Sequence, residues 1–104
     1  MIITTSDQIS EREIEKTIGL VKGEIVQSKH LGKDFMAGMK TIVGGELKGY
    51  TQMISDAREE ATNRMIADAE AKGADAVVGV RFGSSDIMQG AAEILVYGTA
   101  VKLK

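Results

Sequence analysis

Residues 47–73 read Leu47-Lys48-Gly49-Tyr50-Thr51-Gln52-Met53-Ile54-Ser55-Asp56-Ala57-Arg58-Glu59-Glu60-Ala61-Thr62-Asn63-Arg64-Met65-Ile66-Ala67-Asp68-Ala69-Glu70-Ala71-Lys72-Gly73, and this stretch decides the fold. Tyr50, Ile54, Ala57, Ala61, Met65 and Ala69 recur at spacings of four and three, which aligns them along one side of an α-helix. Glu60 with Arg64 and Asp68 with Lys72 stand four apart in the favourable order for helix ion pairs. Gly73, directly after Lys72, is a stop signal. The pattern predicts one long helix from about Leu47 to Lys72, with Ala57 and Ala61 small enough to let it approach a sheet closely.

On the C-terminal side, Ala74 to Phe82 reads as a strand, Gly83-Ser84-Ser85-Asp86 as a turn cluster, and Ala92 to Leu103 as the last strand. Ile87 to Gly90 fits neither pattern. The short link predicts that the two strands pair antiparallel. On the N-terminal side, Glu15 to Gln27 holds Gly19 and Gly23, each costing a helix about 1 kcal/mol relative to Ala. Ile18, Val21, Ile25 and Val26 suit a strand, bent or bulged near the glycines. Ile2-Ile3-Thr4-Thr5 reads as a short strand. Residues 31–43, with Phe35, Met39 and Ile42 in helical register, read as a helix ended by Gly44-Gly45. The layout is strand, long strand, two helical segments, strand, strand, and the fold class is α+β, with the long helix on an antiparallel sheet.

The 104 residues make a single domain, 1–104, with only four aromatics (Phe35, Tyr50, Phe82, Tyr97), so aliphatic side chains and Met must fill the core. The net charge of −2 forms no basic stripe, which excludes a nucleic-acid surface. There is no cysteine, and hence no disulfide or thiolate chemistry. Met1 to Thr5 does not resemble a signal peptide, and no apolar run approaches the roughly 20 residues of a membrane helix. No membrane association and a cytoplasmic location are expected.

The last strand is apolar on both faces: Ile94, Val96, Gly98 and Ala100 on one, Leu95, Tyr97, Thr99 and Val101 on the other. One helical layer covers one face, and each Leu- or Val-sized side chain left wet forgoes about 1.5–3 kcal/mol. Copies of the chain in a ring are the expected cover, with the 2–5 strand pairing across the interface and Val96 and Val101 as positions where a buried charge would disrupt assembly. The alternative is that the N-terminal segment folds over the second face.

Candidate chemistry is sparse. His30 stands four residues before Asp34, a spacing that offers two metal ligands on one helix face where a tight site uses three or four. Glu24 is a mid-strand carboxylate. Arg58, beside Glu59 and Glu60, is a candidate anion ligand. Gly44-Gly45 lacks the Gly-Lys-Ser/Thr sequence of a phosphate loop. Met36, Met39 and Met53 read as core filler. No nucleophile has a partner base, so no enzyme is expected.

Three stretches carry a resemblance: Gly19-Leu20-Val21-Lys22-Gly23-Glu24; Ile42-Val43-Gly44-Gly45-Glu46 with Tyr50 and Ala57-Arg58 downstream; and Gly73-Ala74-Asp75-Ala76-Val77-Val78-Gly79 with Tyr97-Gly98-Thr99-Ala100-Val101. Their order and spacing resemble the YbjQ family of small bacterial and archaeal proteins labelled heavy-metal-binding. The resemblance implies a β-α-β-β subunit, dodecin-like, assembled as a ring, a homopentamer, without an established enzymatic activity. Asp34, Gly44, Gly45, Tyr50 and Arg58 match the family pattern; His30 stands where the family has Asn. The label implies a divalent metal as cofactor, although no Cys or His cluster accompanies it. The expected function is a homo-oligomeric binding or scaffold module. The alternatives are a small-molecule or anion-binding ring with intersubunit sites built from Glu24, Asp34, Tyr50 and Arg58, and an enzyme using carboxylate acid/base groups.

Overall fold

The computed structural model describes residues 1–28, 42–43, 46–88 and 91–104. Its elements are β1 (Ile2–Ile3), β2 (Ile14–Ser28), β3 (Ile42–Val43), β4 (Glu46–Leu47), α1 (Lys48–Ala71), β5 (Ala76–Met88) and β6 (Ala91–Leu103). Four strands form a mixed sheet in the order β1-β5-β6-β2, with β1 parallel to β5 and the other pairs antiparallel. The fold is α+β, with α1 packed on one face of this sheet.

The long helix lies where the stripe placed it. Ala57, Ala61, Met65 and Ala69 are buried against Val21, Ile94, Val96 and Ala100, with Ile18, Ile25 and Ile54 packed around them, and Met53 on the same helix is also buried. Gly73 ends the helix at φ 76°, a conformation that costs Gly little. Its N–H donates to Glu70 O (3.0 Å) and that of Ala74 to Ala69 O (3.0 Å), the paired bonds of a Schellman cap. Gly23 has a different task. A Cβ on it would run into the Ala61 carbonyl oxygen and lie 2.6 Å from the Met65 nitrogen, so helix backbone sits directly on strand backbone there.

β2 is the expected strand, and its ladder with β6 is irregular between Thr17 and Gly19, the latter at φ 138°. Three expectations are corrected. Gly83 to Asp86 is not a turn: β5 runs on to Met88, because the hairpin with β6 gives these residues partners, from Gly83 opposite Leu95 to Asp86 opposite Ala92. Ile2–Ile3 pairs with Ala76–Val77 of its own chain rather than across an interface, where β5 has a free edge beside it. The sheet is therefore mixed. Ile42–Val43, expected to end a helix, is a β-branched strand pairing with Glu46–Leu47. The rest of the helix expected at 31–43, and Gly44-Gly45, lie outside the described residues.

The second sheet face is covered at one end only. Ile9 of the N-terminal segment, with Ile14 at the start of β2, packs on Ala76, Val78, Val101 and Leu103. Val101 lies on that face but is buried within the chain, and Val96 lies under α1 on the other, so neither is open to a neighbouring copy as expected. At the other end Leu20 (64% exposed), Val26 (59%) and Tyr97 (40%) remain uncovered. β2, β5 and β6 give the chain extents of 50 × 26 × 19 Å.

Glu11 is the one described non-glycine residue with positive φ, 64°, in the turn where Ile9 bridges Arg12. A left-handed L-residue costs roughly 1–2 kcal/mol. Glu11→Gly is expected to recover part of this and raise the unfolding midpoint by a few degrees in thermal circular dichroism. A lowered midpoint would show that Glu11 makes a compensating contribution.

Candidate functional site

The register of the sheet separates the expected site residues. Gly23 faces α1, so by strand alternation Glu24 faces away, opposite Leu95 on the outward face. There its carboxylate pairs with Lys22 at 3.2 Å, both side chains largely exposed, an ion pair of little energetic weight. Arg58 is on α1, on the other side of the sheet. Within one chain, Glu24 and Arg58 do not share a site. Tyr50 stands in the first turn of α1, four and eight residues before Ile54 and Arg58. His30 and Asp34 lie outside the described residues.

Arg58 does line a groove. The helix contributes Ile54 and Arg58 to one wall; β5 contributes Ser84, Ser85 and Asp86 to the other; Ala92 and Ile94 of β6 form the floor. Its volume is about 420 Å³, within the range of small-molecule sites. The groove exists because α1 runs over β2 and β6 and leaves this stretch of β5 bare; Ser84 and Asp86 sit opposite Ile94 and Ala92 and so share the helix-side face.

The charges of this groove differ from those elsewhere on the helix. Arg64 is held by Glu60 (3.3 Å) and by the Glu24 carbonyl (2.8 Å), and Lys72 by Asp68 (3.4 Å) and the Leu20 carbonyl (3.3 Å). Asp68 also accepts from the Lys22 N–H at 3.3 Å, so three helix side chains reach backbone groups of β2 between Leu20 and Glu24. Arg58 has Ile54 and Thr62 at i±4 and Ser55 and Ala61 at i±3, none of them acidic. Among the described residues neither Arg58 nor Asp86 has an ion-pair partner. The serines and Asp86 were missed by sequence reasoning because they read as a turn.

The described residues do not fit a resident heavy metal. Among them no three His, Cys, Asp or Glu side chains gather closely enough to hold an ion, and the chain has no cysteine. Met53, one of the three methionines considered, is buried in the core. No helix among the described residues is long and apolar enough to cross a membrane.

A helix laid on a long-stranded mixed sheet, with a groove at their junction, defines an α+β domain with a groove of small-molecule size. The same architecture is found in the crystal structure of a DUF74-family protein of unknown function from Pediococcus pentosaceus. The TM-score is 0.68 over 100% of this chain and 98% of that one, at 16% identity, a likeness of fold. A family model, YbjQ_1, described as "Putative heavy-metal-binding", matches residues 1–104. UPF0145 proteins are 64% identical in Photobacterium profundum over 99% of both chains, and 59% identical in Methanosarcina acetivorans over 99% of this chain and 97% of that one. The chain belongs to the YbjQ (UPF0145) family.

Proposed function

We propose that this chain is the subunit of a cytoplasmic homo-oligomeric binding module, a ring of five copies, that holds a small charged molecule in the groove at Arg58. The role is binding rather than catalysis, and it does not depend on a resident heavy metal. The observation that carries the reading is the uncovered apolar end of the outward sheet face, with Leu20, Val26 and Tyr97 exposed together beside half-buried Leu95. Such a patch marks an interaction surface.

Two quantities support it. The accessible surface is 6738 Å², against about 5,700 Å² for a compact monomer of this mass. The radius of gyration is 16.7 Å, against about 13 Å for a compact domain of about 100 residues. Apolar surface of this kind is buried by association, and closed symmetry is the usual form such association takes.

Light scattering at micromolar concentration tests the assembly. The expected mass is about 55 kDa, five times the 11.1 kDa of the chain. A stable species near 11.1 kDa would overturn the oligomer and leave the groove as the property of a monomer.

A further inference from the structure

We propose that the groove between α1 and the β5–β6 hairpin selects a small zwitterion with an apolar body, its carboxylate on Arg58 and its ammonium on Asp86. This rests on the reading of the groove as the binding site and names the ligand class it takes.

The argument is one of charge and position. Arg58 and Asp86 line the same groove from opposite walls, one on the helix and one on the strand. Neither has a countercharge among the described residues, and no ion pair joins them, so they stand more than 4.0 Å apart with space for a ligand between them. Arg58 has no acid at i±3 or i±4. Asp86 faces Ala92 across the hairpin and has Ser84 and Met88 as its same-strand neighbours two residues away, none of them basic.

A guanidinium alone would favour a bare oxyanion such as phosphate, in bidentate geometry. Here a carboxylate lines the same space, and a multiply charged anion would meet it as a like charge. A simple amine is opposed by Arg58 in the same way. A molecule carrying both charges satisfies both walls, whereas one that lacks either charge leaves a groove charge facing the ligand unpaired. Such a mismatch discriminates more sharply than lost apolar contact does. Ser84, on the helix-side face with Asp86, adds a hydroxyl that donates or accepts at the strand wall. Ile54, Ala92 and Ile94 offer an apolar bed for the uncharged part. Ile94 is buried in the core and Ile54 packs on it, so this bed is fixed by the fold before any ligand arrives.

Amide chemical-shift titrations of the full-length protein test the proposal with four probes: L-leucine; isopentylamine, which lacks the carboxylate; 4-methylpentanoate, which lacks the ammonium; and inorganic phosphate. Leucine is expected to shift the amides of residues 84–86, 92 and 94 and to bind at least tenfold more tightly than either truncated analogue. In Arg58→Gln the advantage of leucine over isopentylamine should vanish. In Asp86→Asn its advantage over 4-methylpentanoate should vanish. Both positions are exposed, and an unchanged spectrum away from the groove verifies the fold of each variant. Phosphate or 4-methylpentanoate binding as tightly as leucine would overturn the zwitterion and leave an anion site at Arg58. No shift at the groove with any probe at millimolar concentration would overturn both the ligand class and the groove as binding site.

Discussion

Gly23→Ala is expected to lower the unfolding midpoint by more than about 12 °C, or to prevent folding altogether. A methyl group on Gly23 would collide with the carbonyl oxygen of Ala61 and come within 2.6 Å of the Met65 nitrogen. These are backbone atoms of α1, already engaged in the helix, and no side-chain rotation relieves the contact. The helix must lift from the sheet, which loosens Ala57, Ala61, Met65 and Ala69 from Val21, Ile94 and Val96 at once. Overpacking costs typically 1–3 kcal/mol when side chains can yield; with rigid backbone on both sides about 3 kcal/mol is the expected minimum, and each kcal/mol moves the midpoint of a chain this size by about 4–8 °C. Gly83→Ala is the control: a Cβ there meets nothing within 4 Å, and the variant should stay within about 0.5 kcal/mol of the parent. If the two variants melt together, the close approach at Gly23 is not what fixes the helix.

The second large effect concerns the proposed ring. Leu20→Asp is expected to reduce the mass from about 55 kDa to the 11.1 kDa of a single chain while leaving the far-ultraviolet spectrum intact. Leu20 lies on the outward face opposite Thr99 and is 64% exposed in the single chain, so the substitution removes little from the subunit's own core. In an assembly that covers this face, each interface would bury an unpaired carboxylate at several kcal/mol, and symmetry repeats that penalty at every contact. Val101→Asp makes the contrast. Its side chain is packed among Ala76, Val78 and Leu103, so the same charge there should unfold the subunit rather than release it. A Leu20→Asp protein that keeps the parent mass would remove this face from the interface.

How much of this was legible in the sequence depends on whether local pattern or long-range pairing decided the outcome. The helix was legible because Ile54, Ala57, Ala61, Met65 and Ala69 obey one period, and its end because Gly73 has a local cause. β2 was legible because two glycines weigh against a helix. The distal half of β5 was not. Gly83-Ser84-Ser85-Asp86 has turn composition, and only its partners on β6 make it a strand. A hairpin count would have found it: with Met88 opposite Ala91, Ala92 to Ile94 lack partners unless β5 continues past Phe82. The groove was lost with that error, since Ser84 and Asp86 are half of its character. The separation of Glu24 from Arg58 was readable in principle. If Gly23 is where the helix touches the sheet, Glu24 must point the other way. The parallel pairing of Ile2–Ile3 carries no local mark at all, because it depends on which edge of β5 is left open.

The side chains that run from α1 to β2 also bear on what the sheet can become. β2 ends the sheet, and its outward backbone groups would otherwise be a template for a further strand. Lys72 on the Leu20 carbonyl, Asp68 on the Lys22 N–H and Arg64 on the Glu24 carbonyl occupy them over the middle of the strand. The opposite margin, along β5 beyond β1, has no such cover among the described residues. Endless strand-on-strand growth needs two receptive margins, one to offer and one to accept, and here one of them is closed. Copies that met through bare β5 could only pair with each other and stop. Three ordinary surface charges on the helix thus make this sheet a poor seed for fibres, even though its β2 strand is 15 residues long.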